Sequence, residues 1–209
     1  MRQVGNEIVG VAVSREGDHP LPAARERVLE SAYELFSRRG IRGVGINEVV
    51  ARAGIAKDTL YRHFRSKDEL VLEFLKLREQ RWTREFVEAG ARSHGRDPEE
   101  QLLGIFEVFD GWFAQPDFEA CVFINTLLEM GTEHPGGRAS VRHLETIRSI
   151  VRGLAEEAGL RDPDSFAHSW HILMKGSIVA AAEGDTKAAE RAKAMGRLLI
   201  DQYRGPRGG

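Results

Sequence analysis

The segment Ile55-Ala-Lys-Asp-Thr-Leu-Tyr-Arg-His-Phe-Arg-Ser-Lys-Asp-Glu-Leu70 decides how this chain is read. It predicts a short helix just after a glycine turn, too brief for a core helix and too ordered for a linker. Such a helix has something to touch. Immediately upstream, Ile46, Val49, Val50 and Ala53 recur at i, i+3, i+4 and i+7, and Gly54 stands where a helix ends in a left-handed turn. Two short helices around one tight turn make a helix-turn-helix.

At about 100° per residue, Leu60 and Phe64 fall on one line of the second helix and must face a core. Asp58 and Arg62 lie roughly opposite; Lys57 with Tyr61 forms one flank and Thr59 with His63 the other. Laid in the major groove of B-form DNA, this helix points Asp58 and Arg62 at base edges and carries its flanks towards the two phosphate backbones. Asp58 then accepts from a cytosine amino group and Arg62 donates to guanine, which implies G·C pairs beneath the helix. The alternative is an Asp58–Arg62 pair at i, i+4 that only neutralises itself. Charge is distributed accordingly: residues 21–82 carry a net +4 and the remainder −6, within a total of −2. Attraction to phosphate is thus concentrated on the part that would dock.

Residues 25–82 resemble the DNA-binding domain of the TetR family of bacterial transcriptional regulators. The resemblance runs from a first helix, Arg25-Glu-Arg-Val-Leu-Glu-Ser-Ala-Tyr-Glu-Leu-Phe-Ser-Arg-Arg-Gly40, with Val28, Ala32, Leu35 and Phe36 facing inward and Gly40 ending it. It continues through Ala53-Gly54-Ile55, Thr59-Leu60-Tyr61 and Phe64 to Ser66-Lys67-Asp68-Glu69-Leu70, which reads as a capping box. It implies that Tyr61 and Lys67 hold phosphates. Gly45, Val50, Ala56 and Asp58 depart from the residues common in the family, and Ala56 forgoes a side-chain cap worth about 1 kcal/mol.

Beyond the motif, helical signals follow one another almost without strand signals, so the fold class is all-α. The expected organisation is an arm over residues 1–22, a three-helix DNA-binding domain with the helix-turn-helix over 23–66, a helical ligand-binding and dimerisation domain over 67–203, and a tail over 204–209. A long helix from Lys67 to about Arg92, with Leu70, Phe74, Leu77 and Arg81 on one line, is the only continuous link between the two ends. Further helices are expected at about 97–114, 117–131, 139–158, 163–183 and 186–203, with Glu133-His-Pro-Gly-Gly137 read as a turn. With 42% apolar residues the chain can bury a substantial core. No stretch approaches the roughly 20 apolar residues that cross a bilayer. A single cysteine excludes an internal disulfide framework and fits a cytoplasmic protein.

The second domain holds the aromatic and polar side chains of a small-molecule pocket: Phe109, Trp112 and Phe113; then Cys121, Phe123 and Asn125; then His168, His171 and Met174. Ala120-Cys-Val-Phe-Ile-Asn125 resembles a segment that some TetR regulators place beside their ligand. The plainer alternative is that most of these aromatics are core. His168 and His171 lack a third metal ligand, and a lone Cys121 in an apolar run behaves as a small hydrophobe, so no cofactor or metal is expected. No nucleophile–base set or phosphate loop marks an enzyme. Two stripes near the C-terminus, Ala167-Trp170-Met174-Ser177-Ala181 and Ala188-Ala192-Met195-Leu198-Leu199, are expected to build a homodimer. One short recognition helix reads only a few base pairs, and a two-fold partner supplies the second half-site. The resulting expectation is a repressor that holds a palindromic operator as a dimer and is released by a small apolar or amphipathic effector. The alternative is an architectural DNA-binding protein that needs no effector.

Overall fold

Val28, Ala32 and Phe36, spaced four apart, form the buried face of the first helix, α1 (Ala24–Arg39). The computed structural model describes residues 23–204; the expected arm over 1–22 and the tail beyond Arg204 lie outside them. Arg204 itself is held, because its guanidinium bonds Glu99 and Asp201. α1 ends at Gly40 with φ +73°, and α2 (Ile46–Ala53) ends at Gly54 with φ +61° and ψ +43°, the left-handed turn the sequence called for. α3 (Lys57–His63) follows with Ala56 as its N-cap and no side-chain cap bond. At the start of α4 (Lys67–Arg78), Ser66 Oγ accepts from the Glu69 N–H at 3.1 Å. The Glu69 carboxylate reaches back to the Arg65 N–H at 2.6 Å, one residue earlier than a standard capping box.

The expected long helix is present, but its middle is not α-helical. α4 runs into a π-helical segment, Glu79–Glu88, and then into α5 (Ala89–His94). Its buried positions, the pair Trp82 and Thr83, then Val87 and Ala91, recur every four to five residues, wider than 3.6 per turn. The line drawn through Arg81 therefore fails: Arg81 is exposed, and its neighbour Trp82 turns inward.

The remaining helices are α6 (Pro98–Phe113), α7 (Val122–Met130), α8 (Pro135–Glu157), α9 (Pro163–Ala182) and α10 (Ala188–Tyr203). All described secondary structure is helical, as the sequence implied. Two boundaries differ. α7 starts five residues late because the α6–α7 connection passes through Ala120 in the left-handed region, φ +57°. α8 starts early because Pro135 sits in its first turn and His134 caps it, Nδ1 accepting from the Gly136 N–H at 3.1 Å. Gly137 is needed inside that helix, since a Cβ there would lie 1.8 Å from the Gly131 carbonyl oxygen.

Buried side chains from both ends of the chain form one contiguous core. The stripe Ala167, Trp170, Met174 and Ser177 belongs to it: these residues are buried inside the subunit, which corrects the interface expected for them. Trp170 packs on Phe106 and Phe166, both with ring centroids at 5.2 Å, and a Cβ on Gly196 would meet its ring at 2.8 Å. Another stripe remains uncovered, made of Ile172 and Val179 on α9 and Met195 and Leu198 on α10.

Candidate nucleic-acid interface and ligand cavity

α3 is anchored by one line of side chains. Leu60 and Phe64 are buried, each stabilising the docked helix by about 1.5–3 kcal/mol through removal of apolar surface from water. Lys57, Asp58, Tyr61, Arg62 and His63 are exposed, and Thr59 is half-buried. Arg62 Nη2 donates to Thr59 Oγ1 at 3.1 Å, and among the described residues no ion pair joins it to Asp58. Asp58 and Arg62, expected to read bases, thus share one outward arc with Lys57, Tyr61 and His63. Lys67 lies apart from it, with Nζ donating to the Ile41 carbonyl at 2.5 Å and sitting 5.9 Å over the Phe36 ring. An ammonium has three donors, so this bond leaves capacity for a phosphate oxygen.

The turn that Lys67 supports is held from the other domain as well. Glu129 on α7 accepts from the Ile41 N–H at 3.0 Å and the Arg42 N–H at 2.5 Å, while His134 Nε2 lies 3.4 Å from Asp68. Among the described residues the long helix that α4 begins is the only continuous helical link between the two ends, but not the only physical one. Glu129 is 88 residues from Ile41, and no local pattern could have flagged it.

The nine side chains expected to line an effector pocket are not gathered into one cavity. Phe109, Phe123, Met174, His171, Cys121 and Trp112 are buried, Phe113 is half-buried, and Asn125 and His168 face solvent. Phe109 and Trp112 belong to a packed series of rings with Trp82 and Phe118, at centroid separations from 4.9 to 6.2 Å. Phe123 packs on the His143 ring at 5.0 Å, and His143 Nδ1 lies 2.5 Å from Glu79. Burial lowers the His143 pKa, with Glu79 pulling the other way. His171 is depressed to about 3 by burial and by the charges of Lys175, Arg148 and His168, and its Nδ1 has no partner. Burial raises the Cys121 thiol. Among the described residues no group of three or more His, Cys, Asp or Glu is placed to hold a metal.

Open space lies instead along the seam between the domains. A cavity of about 430 Å³ is bounded by Tyr33, Ser37 and Arg38 of α1, by Arg78, Trp82 and Phe86 of the long helix, and by Trp112, Asp117 and Glu119 of α6 and the connection after it. A second, of about 340 Å³, shares Ser37, Arg38 and Glu119 with the first and reaches Asn125 and Glu129. Trp112 and Asn125 are the expected effector residues that border this seam. The other lining residues carry no local signal: Tyr33, Ser37 and Arg38 sit on a packing helix, and Trp82 and Phe86 fall on a stretch that a 3.6-residue period misplaces.

Residues 28–74 match the family model described as bacterial regulatory proteins, tetR family. An uncharacterized HTH-type transcriptional regulator of Mycobacterium tuberculosis is 34% identical over 171 residues, covering 81% of this chain and 80% of that protein. The HTH-type transcriptional activator FasR of Mycolicibacterium smegmatis is 41% identical over 63 residues, 30% of this chain and only 29% of the activator. Among solved structures, a regulator from Streptomyces coelicolor superposes with a TM-score of 0.78 at 28% identity, covering 86% of this chain and 95% of the other.

Proposed function

This chain belongs to the TetR family of bacterial transcriptional regulators, and on that premise we propose that it is a repressor that binds a palindromic operator as a homodimer and leaves it when a small effector binds. The observation that carries the reading is the outward arc of α3. Lys57, Asp58, Thr59, Tyr61, Arg62 and His63 stand clear of a helix anchored from behind by Leu60 and Phe64. With no Asp58–Arg62 pair to break, both side chains are available for G·C edges, and Tyr61 and Lys67 for phosphates.

Dimerisation is supported by the uncovered apolar stripe of Ile172, Val179, Met195 and Leu198, a surface a two-fold partner would bury. In such a dimer the two α3 helices address half-sites about 34 Å apart. An effector that prefers the wrong spacing by a few kcal/mol shifts the population off the operator. The strain would travel along the long helix and through the Glu129 bonds to the turn after α1. Among the described residues no helix is long and apolar enough to cross a membrane.

Selection of bound sequences from random duplexes tests specificity, symmetry and spacing together. The expected product is an inverted repeat with G·C pairs at the positions α3 covers. Binding indifferent to sequence would replace this reading with an architectural protein, and a monomer by light scattering at micromolar concentration would remove the dimer.

A further inference from the structure

The seam cavity contains a guanidinium that makes no ion pair, although its charge acts on Glu119. Arg78 Nη1 donates to the Tyr33 hydroxyl at 3.0 Å, and the guanidinium lies 5.7 Å from the Tyr33 ring centroid and 5.8 Å from that of Trp82. Among the described residues it pairs with no carboxylate. The other charges on the walls are largely spoken for: Arg81 bonds Glu30, Glu34 bonds Arg52, and Arg38 lies 3.7 Å from Glu119. Four of the five N–H donors of Arg78 are therefore unused, in a fork that fits a carboxylate.

Four further features mark this cavity as a built site. Its walls carry flat aromatic surface, including Trp112 and Phe86, the latter 40% exposed with no core role to explain it. Trp82 Nε1 and Ser37 Oγ, on lining residues, are buried without hydrogen-bond partners. Trp82 and Phe86 stand on the π-helical segment, a conformation that recurs at functional sites. Ala120, next to Glu119, holds a left-handed backbone that a non-glycine residue adopts only under constraint from its surroundings.

We infer that this cleft binds a small planar aromatic carboxylate bearing a hydroxyl group, with Arg78 anchoring the carboxylate and Asp117 accepting from the hydroxyl. A cationic ligand is disfavoured because the faces of Tyr33 and Trp82 are already taken by Arg78. The ligand would touch α1 of the DNA-binding domain and the α6–α7 connection at once, so occupancy bears directly on how the two domains sit. This inference rests on the effector-release reading and gives it a site outside the packed bundle.

Isothermal titration of the full chain with 4-hydroxybenzoate, benzoate and benzylamine tests it. The expected order is 4-hydroxybenzoate tighter than benzoate, with no saturable binding of benzylamine. Arg78→Gln should weaken both acids by about tenfold or more, as loss of a bidentate charged pair does. Asp117→Asn, at an exposed position that the fold does not use, should weaken 4-hydroxybenzoate several-fold and leave benzoate unchanged. Absence of saturable binding by either acid, tighter binding of benzylamine, or unchanged affinities in a folded Arg78→Gln protein overturns the site. If Arg78→Gln does not fold, equal 4-hydroxybenzoate affinities for Asp117→Asn and the parent overturn it. Acid binding that leaves operator affinity unaltered keeps the site and removes effector release. Release by some other compound, with the acids never binding, does the reverse.

Discussion

Tyr61 on α3 is 44% exposed, whereas Phe109 and Phe123 in the second domain are at most 1% exposed. All three were read from the sequence as functional aromatics. The difference lies in how many neighbours each element has. α3 is seven residues long and rests on the protein along one line, so a residue off that line has only water or a ligand to meet. α6 is enclosed by the long helix, α8, α9 and α10, and nearly every direction from it leads to another helix. On a helix with one packed face, type and spacing reveal function; inside a bundle the same types reveal only burial.

The most forceful way to break this comparison is Phe109→Ala. Phe109 meets Trp82, Phe106, Trp112 and Phe113 at centroid distances of 5.5 to 6.2 Å. Truncation should cost about 3–5 kcal/mol in urea unfolding, the price of a cavity in a packed core. A loss below about 1 kcal/mol would mean that the rings already have slack, and Phe109 would become a pocket wall after all.

His171 sharpens the same point through pH. Its folded pKa of about 3 lies below the ordinary 6.5, so the folded state prefers the neutral ring. Above 6.5 the group is neutral in both states and costs nothing; as pH falls from 6.5 towards 3 the unfolded chain takes up a proton that the folded one resists, and stability is lost. The loss should be on the order of 5 kcal/mol across that window, and His171→Leu should remove it from the difference between the two proteins' stability–pH curves. Parallel curves would place His171 in contact with water and the ring inside an open pocket.

The fold was legible wherever local rules decide it. Gly54 turns left-handed, Val28, Ala32 and Phe36 face inward, and Ser66 caps α4, because each follows from spacing or from one residue's conformational range. The recognition arc was legible for the same reason. Three features were not. The π-helical stretch defeats any reading at 3.6 residues per turn, which is why Arg81 was placed inside and Trp82 went unremarked. Pro135-Gly136-Gly137 looks like a turn, yet Gly137 is helical because two backbones meet there, a tertiary fact. The seam cavity joins α1 to a connection about 80 residues later, and neither side carries a motif.

Glu129→Ala probes the contact the sequence could not show. Removing the carboxylate leaves the Ile41 and Arg42 N–H groups without their partner and should cost about 1–3 kcal/mol. Amide hydrogen exchange should accelerate at those two positions while Leu60 stays protected. Unchanged protection at Ile41 would show that the Glu129 bonds do not hold the turn, leaving Lys67 as its support.

The smallest effects lie on α3, where they separate reading from positioning. If α3 reads the groove as proposed, Arg62→Ala should cost about 1–3 kcal/mol against the best operator and relax preference for the base pair beneath it. Unfolding free energy should move by less than about 0.5 kcal/mol, since Arg62 bonds only Thr59 and lies in water. Tyr61→Phe should cost about 0.5–1.5 kcal/mol, one hydroxyl bond to phosphate, equally on every sequence. Fluorescence anisotropy on the selected operator and on single-base variants distinguishes the two. If Tyr61→Phe changes base preference and Arg62→Ala does not, α3 lies in the groove rotated by about one flank, and the arc centred on Arg62 faces a backbone. A rotation of that kind would leave Leu60 and Phe64 where they are, so it would alter which residues read the DNA without altering how the helix is held.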